Sequence, residues 1–197
     1  MLCESSKQYL EDAFGLSSNK MPNFLDDDLV LKEERVLAAI PSTVLFVGRV
    51  CKEKGAHELY SLAARLPYLT FRLVGALNKT VAAWDKPDNL ILVGPLNQAE
   101  TLSEMDCADL FLLTSYSEGF SLALTEAMAR DLPSVATDVG AAADMLADGC
   151  GTVVPIGDVD AMAEAIKRLA DLSVRQEISR RATAKVRREY TVDGIIK

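Results

Sequence analysis

Two carboxylates, Glu118 and Glu126, stand with seven residues between them in "SEGFSLALTEAMARDLPSVATDVG", residues 117–140. From Leu122 to Ala129 the segment is apolar all round except at Thr125 and Glu126, so it reads as a helix buried over most of its surface. An unpartnered Glu is costly to bury. Glu126 therefore finds its donor either within the protein or on a ligand. Glu118 precedes the same helix, whose first N–H groups, on Phe120, Ser121 and Leu122, could face phosphate oxygens with roughly half a positive charge from the helix dipole behind them. Gly119 lets a ligand come close to the backbone there. Two cations complete the pattern: Arg49, able to hold phosphate as a planar fork, and Lys54, a point charge five residues on.

Taken singly, each of these has a plainer reading. Glu118 can be a helix N-terminal acid worth about 0.3–1 kcal/mol. Glu126 can bond across a helix–sheet contact, and Arg49 and Lys54 can be solvated loop charges. Only their meeting at one place makes a site, so the elements that position them decide the matter.

After residue 40 the chain alternates short apolar runs with amphipathic segments. The runs are 43–47, 70–74, 89–93, 109–114, 133–137 and 151–155, mostly without polar alternation, as in strands buried on both faces of a parallel sheet. Helices are expected over Ala56–Leu66, Thr80–Trp84, Ala99–Cys107, Ser121–Arg130, Ala141–Leu146 and Asp158–Leu172, the last with a stripe of Met162, Ala165, Ile166 and Leu169. The expected fold is α/β: a Rossmann-like, doubly wound parallel sheet of about six strands with helices on both faces. Residues 1–40 are read as an N-terminal helix, with a capping box of Ser5 and Gln8 and a stop at Gly15, followed by an acidic lead-in to the same domain; residues 41–197 form its sheet-bearing body. Ligands of such sheets bind beyond the carboxyl ends of the strands. There the sequence places Gly48 and Arg49 after the first strand, Gly75 after the second, Gly94, Pro95, Leu96 and Asn97 after the third, and the Glu118 segment after the fourth.

Composition narrows the partners. A chain of 197 residues fits one domain burying roughly 70% of its unfolded surface. A net charge of -8 argues against nucleic acid as a partner, since neutralising many phosphates needs clustered Lys and Arg. Apolar runs are all far shorter than the roughly 18–20 residues of a transmembrane segment, and no signal-peptide pattern is present. The four cysteines, Cys3, Cys51, Cys107 and Cys150, form no close pair and are expected as reduced thiols in the cytoplasm. His57, the single histidine, is placed on a helix surface, which leaves no local Ser-His-Asp triad. "DVD" at 158–160 is read as a helix cap rather than a metal ligand, and Asp26-Asp27-Asp28 as a solvated turn. "FVGRVCKEKG" lacks the later glycines of a dinucleotide fingerprint and the Gly-Lys-Ser/Thr of a P-loop, so neither a nicotinamide cofactor nor that phosphate loop is expected.

With these residues in view, "LFVGRVCKEKG", "RLVG", "LILVG", "ADLFLLTSYSEGFSLALTEAMARDLPSVATDVGA" and "GDVDAMAEAI" resemble the carboxy-terminal, donor-binding half of GT-B glycosyltransferases of the retaining family four type. "MPNFLD" is similar to that family's Pro-Asn-Gly-Val-Asp segment. The resemblance implies a nucleotide-sugar donor, with Arg49 and Lys54 on its diphosphate, Glu118 on the hydroxyls of the transferred sugar, Glu126 on the ribose and residues 94–97 near the base. It further implies transfer of a hexosyl group to a carbohydrate or lipid-linked acceptor, as in polysaccharide or glycoconjugate synthesis, with no metal or other cofactor. The chain departs from the family in keeping only Gly75 of the glycine-rich turn after the second strand, and in Gly140-Ala141 where Gly-Gly is usual. Both ends look cut: an acceptor-binding amino-terminal domain is expected to be missing, and with it any attachment to the membrane periphery. The same resemblance accommodates a non-catalytic donor-binding subunit, or another GT-B enzyme such as a sugar-nucleotide epimerase or a phosphorylase.

Overall fold

The computed structural model describes residues 4–17 and 22–196, with side chains from residue 7 onward. Its strands are β1 (Thr43–Val47), β2 (Thr70–Val74), β3 (Leu90–Gly94), β4 (Leu110–Leu113), β5 (Ser134–Thr137) and β6 (Thr152–Val154). They form one parallel six-stranded sheet in the order β3-β2-β1-β4-β5-β6. The helices are α1 (Glu4–Phe14), α2 (Ala56–Arg65), α3 (Gln98–Cys107), α4 (Leu122–Ala129), α5 (Ala142–Leu146), α6 (Val159–Arg168), α7 (Leu172–Glu189) and α8 (Val192–Ile195). The expected α/β sheet is thus present, and its order reverses between β1 and β4.

Strand pleating splits the core in two. On β1, Leu45 faces one side with Phe111 of β4, packing on α4, α5 and α7 through Leu124, Met128, Met145 and Val186. Val44 and Phe46 face the other with Leu110 and Leu112, against Leu59 and Leu62 of α2 and Met162 and Ile166 of α6. Because side chains alternate with period two, strands apolar at every position must be covered on both faces.

Three expectations about helices change. The segment expected as one helix over Asp158–Leu172 is two: α6 ends at Arg168, and the Asp171 carboxylate accepts from Ser173 N (2.8 Å) and Val174 N (3.4 Å) to start α7. Thr80–Trp84 is a single 3-10 turn, Val81–Ala83, because the backbone turns extended at Trp84 (ψ 148°). Helix α1 already includes Ser5, so Ser5 is no N-cap there, and its side chain lies outside the described residues, as do Cys3 and Met21. Other local readings hold. Asp158 caps α6 through Ala161 N (2.9 Å), Asp26 to Asp28 are exposed, and Cys51, Cys107 and Cys150 are free thiols. His57 is exposed and stacks on Trp84 with ring centroids 4.0 Å apart.

Candidate functional site

Of the expected residues, Gly48, Lys54, Glu118, Phe120, Ser121 and Leu122 converge where the strand order reverses, the place where a crevice opens between outward-diverging connections. Beyond β1 and β2 the two loops continue to pair: Gly48 N donates to Val74 O and Val50 N to Ala76 O, both at 2.9 Å. That zipped extension carries Arg49, whose side chain is exposed. A 3-10 turn, Lys52–Lys54, follows and hands over to α2 at Gly55, in the left-handed region at φ 77°. Thr114 Oγ1, just past β4, donates to the Lys54 carbonyl (2.7 Å), and Tyr116 N donates to Glu53 O (3.0 Å). The β1 and β4 connections are therefore tied together by one side-chain and one backbone hydrogen bond, which fixes Lys54 against the Glu118 loop.

Lys54 Nζ lies 2.6 Å from Glu118 Oε1, and Ser115 Oγ donates to the same oxygen at 2.9 Å. The Lys54 and Glu118 side chains are 22% and 17% exposed, so the pair is shielded yet reachable. The Glu118 backbone is braced from behind: Ala141 N donates to Gly119 O (3.1 Å), and Gly140, at φ 52°, passes so close that a Cβ there would lie 2.2 Å from Glu118 O. Gly140 is thus the residue of the Gly140-Ala141 pair that this approach requires.

Helix α4 then begins with Ser121 as N-cap, its Oγ accepting from Leu124 N (3.2 Å). Among the described residues, the N–H groups of Phe120, Ser121, Leu122 and Ala123 have no backbone or side-chain acceptor, which leaves this helix start open to an anion. A cavity of about 220 Å³ joins Gly48, Lys54, Ser115, Glu118, Phe120, Ser121 and Leu122. One wall is anchored by the Phe120 ring, edge-on to Tyr190 at 5.7 Å.

Glu126 lies outside that cavity, one helical turn along α4 from Leu122. It is half-buried rather than enclosed, and among the described residues its one side-chain partner is Gln98 Nε2 at 3.4 Å, a weak contact. Burial pushes its carboxyl above the ordinary value of 4.5, with the Gln98 contact opposing. A carboxyl held up in the folded state binds its proton more tightly there than in the unfolded chain, so stability falls as pH rises from 4.5 through the raised value and stays reduced above it. Glu126→Gln is therefore expected to raise the urea midpoint at neutral pH and to give no gain near about pH 3, where both states carry the proton. An equal gain at both pH values would show that burial of charge is not the cause.

The Gly94–Asn97 loop approaches Glu126 through Gln98. Gly94 O accepts from Gly75 N (2.8 Å), and Leu96 packs on the core. Asn97 also has a local use: its side-chain carbonyl accepts from Glu100 N while Glu100 Oε2 accepts from Asn97 N, both at 2.9 Å, a capping box for α3. Gly75 sits one strand away from the cavity, with Gly48 O only 2.0 Å from where its Cβ would be. It shapes the Gly48 turn rather than lining the space.

Ser115, Gln98 and Tyr116 were not singled out by sequence. Tyr116 Oη donates to Glu58 Oε1 of α2 at 2.5 Å, a third tie across the same region. Ser115-x-x-Glu118 was visible as spacing, but only the fold buries Ser115 and aims it at the carboxylate.

A larger cavity of about 350 Å³ lies at the opposite, amino-terminal edge, beside Glu34, Arg35, Asp131, Glu177 and Arg180. Its main charges are already used. Arg35 donates to Met105 O and Ala108 O, Asp131 accepts from Arg35 N and Thr183 Oγ1, and Glu177 pairs with Arg180 and Arg181. The smaller cavity, with its open helix start, has the better chemistry. Among the described residues no group of three or more His, Cys, Asp or Glu could hold a metal ion, and no helix is long and apolar enough to cross a membrane.

Residues 31–187 match the sequence model of the family described as glycosyl transferases group 1. The phosphatidyl-myo-inositol mannosyltransferase of Mycolicibacterium smegmatis is 32% identical in an alignment that covers 93% of this chain and 51% of that protein. The chain spans about half the length of the curated relatives it matches. Sucrose-phosphate synthase from Thermosynechococcus elongatus superposes with a TM-score of 0.85 at 24% identity, over 99% of this chain and 54% of that one. Anabaena Alr3699/HepE in complex with UDP-glucose gives 0.81 at 20% identity, over 98% and 59%. These likenesses identify the fold as that of GT-B glycosyltransferase carboxy-terminal domains.

Proposed function

The chain belongs to the glycosyl transferases group 1 family, and we propose on that basis that it is the nucleotide-sugar-binding domain of a retaining hexosyltransferase of the family four type. In this reading the donor lies along the carboxyl edge of the sheet. Its diphosphate meets Arg49, Lys54 and the open N–H groups of α4, its transferred sugar meets Glu118, and its ribose meets Glu126, with the Gly94–Asn97 backbone near the base. The observation that carries the reading is one cavity holding Lys54, Glu118 and a helix start whose first N–H groups have no acceptor among the described residues. A carboxylate half-buried at Glu126 fits a ribose, whose two hydroxyls can both donate to it.

Transfer breaks the bond between the anomeric carbon and the diphosphate oxygen. The acceptor hydroxyl bonds to the same face of that carbon, and its proton passes to the leaving diphosphate. Arg49 and Lys54 stabilise the charge that grows on the leaving group, the largest class of catalytic effect, and no metal is required. The acceptor site is assigned to an amino-terminal domain, and the lead-in at 1–40 to the donor domain. The donor domain alone is expected to bind but to transfer slowly or not at all.

Calorimetry with UDP, GDP and ADP and their sugar conjugates tests this. Glu126→Ala is expected to weaken a nucleoside diphosphate with or without its sugar, whereas Glu118→Ala mainly removes the preference for the sugar-bearing form. Equal effects of both substitutions on both ligands would reject the assignment.

A further inference from the structure

We infer that the Lys54–Glu118 ion pair is a placeholder which the donor's diphosphate displaces, and that it makes the site favour a nucleotide carrying a sugar over the bare nucleotide. The inference rests on the donor reading above and goes past it to what the site does before and after the donor is present.

Lys54 Nζ and Ser115 Oγ both donate to Glu118 Oε1, at 2.6 and 2.9 Å, and all three residues line one cavity. One ammonium serves there as the counter-charge of a carboxylate that is only 17% exposed. An entering diphosphate brings at least two negative charges to the same ammonium and draws it away from Glu118. If a sugar is attached, its hydroxyls donate to Glu118 in place of Lys54, and Ser115 holds the carboxylate in position. If the nucleotide is bare, Glu118 keeps Ser115 alone, and a shielded carboxylate short of donors is penalised. The bare nucleotide, which is also the leaving group of a transfer, is then held less tightly than its phosphate contacts allow. Ser115, buried and donating to Glu118, is the positioning residue of this exchange.

The test uses the nucleoside diphosphate that the wild-type protein binds best, with and without its sugar. Glu118→Gln keeps the shape and removes the charge. It is expected to bind the bare nucleotide about three- to tenfold tighter than wild type, the range for a partly shielded ion pair, and to lose most of the preference for the sugar conjugate. In a Lys54→Met background the same change is expected to give no tightening, because no pair remains to be broken. Ser115→Ala acts with the opposite sign, weakening the bare nucleotide more than the conjugate, and does not depend on Glu118→Gln folding. Unchanged or weaker binding of the bare nucleotide to Glu118→Gln overturns the exchange. Tightening that persists without Lys54 also overturns it, in favour of plain repulsion between carboxylate and phosphate. A wild-type protein that binds none of the nucleotides overturns the donor reading itself.

Discussion

Alanine at both Arg49 and Lys54 is expected to lower affinity for nucleoside diphosphates by about 100-fold or more, since each charge-assisted hydrogen bond to phosphate is worth about 1.5–3 kcal/mol. The fold should survive the change. Arg49 is exposed, and the structural bond at Lys54 is made by its carbonyl, which accepts from Thr114 Oγ1 whatever the side chain. The local cost of removing Lys54 falls on Glu118, which keeps Ser115. Isothermal titration with the best-binding nucleotide measures the loss, and a urea melt of the same sample separates it from unfolding. Retention of affinity within threefold would place the diphosphate elsewhere.

Gly55→Ala is expected to destabilise the domain on the order of 3–5 kcal/mol, among the largest effects of a single substitution. Gly55 closes the Lys52–Lys54 turn and opens α2 at φ 77°, and a Cβ there would stand 2.1 Å from Thr114 O and 2.5 Å from Thr114 Cβ. Neither neighbour is the loose end of a flexible side chain. Both belong to the strap that sets Lys54 against Glu118, so relief of the overlap must open the site. Gly15→Ala is the control: its φ is 64°, but nothing lies within 4 Å, and only the left-handed conformation is penalised, at about 1–2 kcal/mol. Chemical denaturation of the two variants measures the difference, and equal losses would show that the contact with Thr114 does not matter.

The part of the fold that sequence failed to anticipate is chiefly helix α7, and the reason is physical. Helix α7, over Leu172–Glu189, carries a thin apolar stripe of Ile178, Ala182 and Val186, but beside it buries Arg175, Ser179, Thr183 and Lys185, which sequence alone places in solvent. Each of these meets a backbone carbonyl brought from far along the chain: Arg175 at Ala38 and Ala39, Ser179 at Asp131, Thr183 at Met128 and Lys185 at Asp144. Polar side chains are buried where acceptors await them, and a carbonyl has no signature in the sequence. The strands, by contrast, were legible because a two-faced apolar run depends only on residues next to one another, and the Asp158 cap because its partner is three residues away.

The same division runs through the site. Sequence by itself determined the parallel α/β sheet, the helix start at Ser121, and the two glutamates on one stretch of chain with two cations after the first strand. Those are matters of local period and spacing. Tertiary structure alone decided that Lys54 meets Glu118 across 64 positions, that Ser115 shares the same oxygen and that Glu126 is half-covered beside Gln98. Charges choose partners by distance through space, and the distance between two loops is set by how β1 and β4 pair and by what Gly55 and Gly140 allow to approach.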